Sequence, residues 1–521
     1  MITVGIAIAA AAIALGVAMR TRLPASVLAI AAGVGLQALS APMDTGVVRD
    51  GLLLSATFLV FAVGAEIERR PLRPFRPAAL GLTFATLLLT GAVGVLLWRL
   101  LGLDALTAAY WVIALASGST LLVFELLRRR ERFFEPVGRV VTATTLAQDV
   151  VVIVALSLLA AFGPGGRESP AVLAGMVGLA VAAWALARWI APFAMLRMGL
   201  DDEERLLFVL LVLFAFAAVA RWTGNPLVTG AYFAGMAMSR FPVGGLTRGY
   251  LKSFSDFFTM IFYVMLGMVI VVPSPASMVA ELAFVTAVLL LRPFVLLPLV
   301  RRSGLAVRSS IEAVTLLAQA GELAVIVALV GMELGHVGEQ TLGVIAVVVV
   351  ASTAVVPWIS SDAVTWRLTH AYPFQGRRSL GRAPSGHVVL LGCGETGTAI
   401  LKRLERASAD VVVVDDDPAV VQALQERGVA VLRGDGADPQ VLQAAGAMRA
   451  RAVVSTMRRA ADNAHLLRTL RGPEILVRTF SLDEAEGVRQ LGGHPVSEAE
   501  VAAEALLEWH AGAAGDARPP E

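Results

Sequence analysis

Apolar and polar positions divide the chain into two regimes. Up to about residue 360, long apolar runs alternate with short polar loops. From about Gly386 to His510, short apolar stretches alternate with amphipathic ones, and charge is ordinary. The long runs lie near 2–19, 23–40, 50–67, 78–102, 105–127, 140–162, 170–195, 204–222, 225–239, 254–272, 275–300, 309–333 and 340–360. About twenty apolar residues in helix cross a bilayer, so this pattern predicts about 13 transmembrane helices, with 225–239 short for a full span. The later pattern predicts a Rossmann-like α/β domain at 386–510. Residues 361–385, rich in Pro, Gly and Arg, read as a cytoplasmic linker, and 511–521 as a disordered tail.

Composition agrees with the membrane regime. The chain is 57% hydrophobic and only 16% charged, outside the range of soluble globular domains. The single cysteine, Cys393, excludes an intramolecular disulfide framework. Run one lacks a basic leader and is followed by further spans, so it reads as a retained helix.

Basic residues occupy alternate loops. Arg20 and Arg22 follow run one, Arg69, Arg70, Arg73 and Arg76 run three, and a cluster from Arg128 to Arg139 run five. Arg197 and Arg205 follow run seven, Arg240, Arg248 and Lys252 run nine, and Arg301, Arg302 and Arg308 run eleven. The positive-inside rule puts these loops in the cytoplasm of a multi-pass inner-membrane protein. The N-terminus is then outside and the C-terminal domain inside.

Few charges lie deep in the runs: Asp149 in run six, Arg292 in run eleven and Glu322 in run twelve. A charge in hydrocarbon is costly and marks either an ion pathway or a structural pair. No histidine falls in a run, so proton chemistry there would rest on carboxylates. Runs five and twelve are interrupted by Ala116-Ser117-Gly118-Ser119-Thr120 and Gln319-Ala320-Gly321-Glu322. Such segments suit unwound helices around a midplane cavity, or small-residue packing faces. If five-helix repeats cover runs two to six and nine to thirteen, both interruptions fall on the fourth helix of repeats with opposite topology. That is the plan of a secondary transporter.

These residues resemble the monovalent cation:proton antiporter-2 family, in particular its glutathione-regulated potassium-efflux branch. The resemblance rests on Phe61-Ala62-Val63-Gly64-Ala65-Glu66, the Ser117–Thr120 break, Gln148-Asp149, Ala231-Tyr232-Phe233-Ala234-Gly235, Gly267-Met268 and Gln319–Leu323. Arg292 stands where that family has a membrane lysine or arginine. The resemblance implies the sodium/proton-antiporter fold and a homodimer in the lipid bilayer. It also implies exchange of a monovalent cation for a proton and possible control by a glutathione-type anion. His465, Arg468 and Arg471 could meet such an anion, although a solvated helix face is the simpler reading. Gln148-Asp149 favours K+, and Na+ stays open. A channel is disfavoured because no Thr-Val-Gly-Tyr-Gly filter occurs.

Asp149 would hold either a proton or the cation, with Gln148, Ser119 and Thr120 as neutral ligands, so competition couples the two fluxes. Arg292 would neutralise Asp149 or Glu322. Because arginine keeps its charge, exchange is expected to be electroneutral.

The α/β domain opens with a strand at His387–Leu391, then Gly392-Cys393-Gly394-Glu395-Thr396-Gly397, a helix, and a second strand ending at Asp415. This is the full dinucleotide fingerprint rather than an isolated glycine motif. Further strands are expected at 430–432, 452–455 and 475–478. The domain resembles the KTN or RCK (TrkA-N) regulatory domain, with Gly434-Asp435-Gly436-Ala437-Asp438 as its second motif. The expected nucleotide-binding residues are Gly392, Gly394, Glu395, Thr396, Gly397, Asp415, Asp416, Asp435, Gly436 and Thr456. Asp415 would hold the ribose and disfavour NADP, and Asp435 would contact adenine. Glu395 stands where the efflux branch commonly has arginine; a carboxylate there would repel pyrophosphate and either reduce affinity for NAD/NADH and AMP/ATP alike or shift the preference towards a ligand with fewer phosphate charges such as AMP. A domain that only dimerises is the alternative. The chain ends before a second ligand-binding lobe. A dehydrogenase is rejected because only eleven residues follow His510. The expectation is therefore a transporter and not an enzyme. No nucleic-acid partner is expected.

Overall fold

The computed structural model describes residues 2–21, 25–39, 45–65, 76–102, 104–130, 135–162, 169–239, 245–270, 275–372 and 385–515. Arg22, Glu66, Arg69, Arg70, Arg73, Arg132 and Arg240, and residues 373–384 of the expected linker, lie outside the described residues. The described chain divides into two compact units. The first comprises Met1–Leu126, Arg139–Leu299 and Ala313–Val364, and the second Leu127–Gly138, Val300–Glu312 and Thr365–Glu521.

The helices follow the apolar runs in order. They are α1 (Ile2–Thr21), α2 (Ala25–Ala38), α3 (Thr45–Ala65), α4 (Arg76–Leu101), α5 (Ala105–Ala116), α6 (Thr120–Arg129), α7 (Pro136–Phe162) and α8 (Ser169–Ala185). After a π-helical turn (Leu186–Ile190) come α9 (Ala191–Arg197), α10 (Asp202–Trp222), α11 (Leu227–Met238), α12 (Gly245–Val269) and α13 (Pro275–Arg302). Then follow α14 (Val307–Leu316), α15 (Glu322–Glu333), α16 (Glu339–Ile359) and α17 (Asp362–Ala371). Among the described residues, eight helices are each long and apolar enough to cross a membrane. Runs five and twelve are each split in two, as α5/α6 and α14/α15, at the small-residue segments. One expectation is corrected: the first part of the supposed linker is helical, as α17. Its buried Thr365 and Thr369 show why a polar stretch still folds there.

Small residues set the helix contacts in the first unit. A methyl group at Gly33 of α2 would strike the Val264 carbonyl of α12, and one at Gly267 the Ile30 carbonyl. In the same reciprocal way, Gly64 of α3 meets the Tyr232 carbonyl of α11 and Gly235 the Phe61 carbonyl. Glycines allow backbones to approach this closely. The pairing is symmetric: the first helix of one repeat lies on the second helix of the other, and the converse. The two interruptions also meet. The Gly321 N–H donates to the Ser117 carbonyl at 3.2 Å, and Gln319 Nε2 to the Ser119 carbonyl at 3.1 Å. Inverted repeats with crossed broken helices account for all of these contacts.

In the second unit, β1 (Val388–Leu391), β2 (Val411–Asp415), β3 (Val431–Arg433), β4 (Ala452–Ser455), β5 (Glu474–Thr479) and β6 (His494–Ser497) form one sheet. Its order is β3-β2-β1-β4-β5-β6, with every neighbour pair parallel. Helices α18 (Glu395–Arg406), α19 (Pro418–Glu426), α20 (Pro439–Ala444), α21 (Ala460–Thr469), α22 (Leu482–Gln490) and α23 (Glu498–Gly515) connect or follow the strands. Apolar side chains on both faces of the sheet (Val389 and Leu391 on one, Leu390 and Val413 on the other) explain its continuous hydrophobic strands. Strand β6 was not legible in the sequence. Its Pro495 lacks an amide donor, which only an edge strand accommodates. The expected tail is also shorter, because α23 runs to Gly515.

The crossing gives a test. A methyl at Gly321 would lie 2.7 Å from the Ser119 nitrogen, with the rigid Gly118 backbone closer still. Overpacking of this kind costs about 1–3 kcal/mol. Gly321→Ala should lower the melting temperature in detergent. Gly81→Ala on α4, where nothing lies within 4 Å, should not.

Candidate functional site

Both interruptions expose helix ends inside the first unit. An α-helix leaves its last carbonyls unpaired and its C-terminus partially negative. Helix α5 ends at Ala116 and α14 at Leu316. Arg292 answers both. Its guanidinium is fully buried and donates to the carbonyls of Leu317 at 3.2 Å, of Gln319 at 2.7 Å, and of Leu115. The expected role of Arg292 is to neutralise Asp149 or Glu322; the hydrogen bonds of its guanidinium run to backbone carbonyls. Three unsatisfied carbonyls at two negative helix ends form a better site for a planar guanidinium than one carboxylate. Pro293 follows it on α13 and removes one helical N–H donor there.

The opposite helix ends are positive. Glu322 opens α15 and Thr120 opens α6, and both are buried. Ser119 Oγ donates to Glu322 Oε1 at 2.7 Å, and Tyr263 of α12 also hydrogen-bonds this carboxylate. Glu322 is therefore held by two hydroxyls and a helix N-terminus.

Asp149 is fully buried near the middle of α7. Gln148 beside it donates to Thr86 Oγ1 at 3.3 Å, while its amide oxygen has no hydrogen-bond partner among the described residues. A methyl at Gly118 would come 3.0 Å from that oxygen, so Gln148 borders the α5/α6 break. Sequence reasoning missed two tyrosines, Tyr263 and Tyr232. Tyr232 of α11 is 1% exposed, its hydroxyl has no described partner, and it lies within electrostatic reach of Asp149. One helical turn away, Thr229 and Ser157 hydroxyls lie 2.9 Å apart, tying α11 to α7. The available signal was a tyrosine inside a small, apolar segment, where a hydroxyl needs a reason.

In the second unit the glycine loop follows β1. Gly392 is left-handed at φ +84°. A methyl at Gly397 would strike the Gly392 carbonyl, whereas one at Gly394 would meet nothing within 4 Å. The open side of Gly394, at the N-cap of α18, fits a phosphate group. Thr396 lies in the first turn of α18, and Glu395 is its exposed first residue. Asp415 Oδ2 accepts from the Cys393 amide at 2.6 Å and Oδ1 from the Asp417 amide at 2.8 Å. Burial pushes its carboxyl above the usual range, and these two bonds pull the other way. Thr456 Oγ1 donates to the Gly392 carbonyl at 2.9 Å. Gly436 packs beside Met457, and Asp435 Oδ1 accepts from the Ala437 amide at 2.9 Å. The residues expected around a nucleotide thus converge on the carboxyl ends of β1, β2, β3 and β4, as in doubly wound sheets. Arg468 and Arg471 are exposed as expected, whereas His465 is half-buried, its ring stacked on Trp366 with centroids 4.5 Å apart.

A crossed pair of broken helices with buried acids, joined to a parallel sheet with a phosphate loop, defines a secondary transporter carrying a nucleotide-binding regulatory domain. The chain belongs to the sodium/hydrogen exchanger family, whose transmembrane model matches residues 6–361. A TrkA-N domain matches residues 388–498. The chain is 24% identical over 504 residues to the Escherichia coli K12 protein named cation/proton antiporter YbaL, covering 89% of each. It is 26% identical to the Alkalimonas amylolytica protein named K(+) efflux antiporter KefB, covering 94% of this chain and 78% of that one. The sodium/proton antiporter MjNhaP1 of Methanocaldococcus jannaschii superposes with a TM-score of 0.57 at 15% identity, over 70% of this chain and 97% of its own. That likeness shows the fold.

Cys393 tests the phosphate loop. Its side chain is 3% exposed and burial pushes its thiol up, with the Thr398 hydroxyl pulling the other way. Only the thiolate alkylates, so a raised thiol is mostly protonated at neutral pH. Iodoacetamide labelling at pH 7 should be slower than for a free cysteine and should accelerate as pH rises. Mass spectrometry reads this at the single cysteine, and rapid labelling at pH 7 would refute it.

Proposed function

We propose that the chain exchanges K+ for H+ electroneutrally on Asp149, under control of an adenine nucleotide at the TrkA-N domain. The observation that carries this reading is a fully buried Asp149 beside Gln148, next to the break between α5 and α6. A carboxylate there binds a proton or a dehydrated cation, and each occupant excludes the other. Gln148, the Ser119 and Thr120 segment and the Tyr232 hydroxyl supply neutral oxygen to a cation. Arg292 acts as a fixed charge, because its guanidinium binds helix-end carbonyls. K+ is favoured by the Gln148-Asp149 pair and by relatives named for K+ efflux. The family description favours the second reading, Na+. On this proposal the basic loops and the nucleotide domain face the cytoplasm. The homodimer and a glutathione-type effector remain what the family resemblance implies.

Purified protein in liposomes, with a lumenal pH dye and outward gradients of K+, Na+, Li+ or Rb+, tests the reading. The expected result is proton flux driven most strongly by K+ and insensitive to an imposed membrane potential. Asp149→Asn should reduce flux to that of empty liposomes while keeping its melting temperature. Retained exchange would place the site elsewhere.

Glu395 governs the nucleotide. Two unit charges 4 Å apart in water repel by about 1 kcal/mol, or about fivefold in affinity. Glu395→Gln should therefore tighten ADP and NADH by roughly that factor and AMP by less, read by titration calorimetry.

A further inference from the structure

Residues 303–309, leading into α14, pack on the nucleotide-binding residues within the second unit. A methyl at Gly304 would lie 2.9 Å from Pro418 Cγ and 3.2 Å from Arg433 Nη1. Ser309 Oγ donates to Asp416 Oδ2 at 3.5 Å. Arg308, in the first turn of α14, is 1% exposed. Its Nη1 donates to Asp435 Oδ2 at 3.0 Å and its Nη2 pairs with Asp462 Oδ1 at 2.8 Å. The guanidinium carbon sits 4.3 Å from the centre of the Trp366 ring. Asp435 is the acid expected at the adenine, and Asp416, also expected at the nucleotide, adjoins Asp415, the acid expected at the ribose.

We propose that the 303–309 segment occupies the adenine and ribose end of the nucleotide site, and that Arg308 and a bound adenine nucleotide compete for Asp435. An adenine amino group needs the same carboxylate oxygen that holds Arg308. Taking the Asp435 carboxylate away from a buried guanidinium is strongly unfavourable. Nucleotide binding therefore releases the start of α14, the helix that ends at the second interruption. Competition of this kind is reciprocal: nucleotide weakens the Arg308 clamp, and whatever weakens the clamp tightens nucleotide, by up to the same factor. Asp435 thus reports nucleotide occupancy to the transport helix through a single shared oxygen.

The inference rests on nucleotide binding, and its test separates the two. Full-length protein in detergent is titrated with AMP, ADP and NADH, as wild type, Arg308→Gln and Trp366→Leu. Trp366→Leu weakens the clamp without touching either carboxylate, so it serves if Arg308→Gln misfolds. Both variants should bind the preferred nucleotide at least about fivefold tighter, a typical size for coupling between sites. Saturating nucleotide should speed amide exchange at 303–312 in the wild type and change it little in Arg308→Gln. Binding by the variants alone is competition at its limit and supports the proposal. Equal or weaker binding by folded variants, or slower exchange at 303–312 on adding nucleotide to the wild type, overturns the competition while leaving nucleotide binding intact. No binding by any of the three proteins overturns the nucleotide reading and the competition with it.

Discussion

A helix that stops inside hydrocarbon leaves its last carbonyls with neither water nor a following turn to bond. The first unit depends on how that deficit is met. One guanidinium, on Arg292, meets it at two helix ends at once, because α5 and α14 stop at the same crossing. The positive ends of α6 and α15 receive the complementary chemistry, with Glu322 opening α15 and Ser119 donating to it. These contacts pair polar groups that the unwound segments would otherwise leave bare in hydrocarbon. On the proposed mechanism, unwinding there also offers backbone oxygen to a cation.

The crossing also constrains the rest of the membrane helices. Two broken helices meet backbone to backbone only if their neighbours are drawn in equally far. The reciprocal glycine contacts of α2 with α12, and of α3 with α11, supply that closeness on either side of a pseudo-two-fold axis. One geometric requirement thus explains why glycine recurs at Gly33, Gly64, Gly235, Gly267 and Gly321.

Much of this was legible in the sequence, for local reasons. Ser117–Thr120 and Gln319–Glu322 break apolar runs by composition alone, and the phosphate loop declares itself between a strand and a helix. What was hidden depends on partners far away in sequence. Arg292 is separated from Leu115 by 177 positions, and nothing near it announces that it binds carbonyls rather than an acid. Arg308 read as one more topology-setting loop charge, yet it is buried against Asp435, 127 positions away. β6 was missed because a four-residue edge strand containing proline lacks the alternation that marks a strand.

Locating Arg292 on carbonyls sharpens the argument about charge. An arginine that paired with Asp149 in one state and released it in another would move a permanent charge through the cycle. An arginine bound to helix ends stays in place. The charge left to vary in the proposed site is that of Asp149, which a proton or a monovalent cation neutralises equally. Exchange of one for the other then leaves the buried charge unchanged. This is the physical ground for expecting transport to ignore the membrane potential.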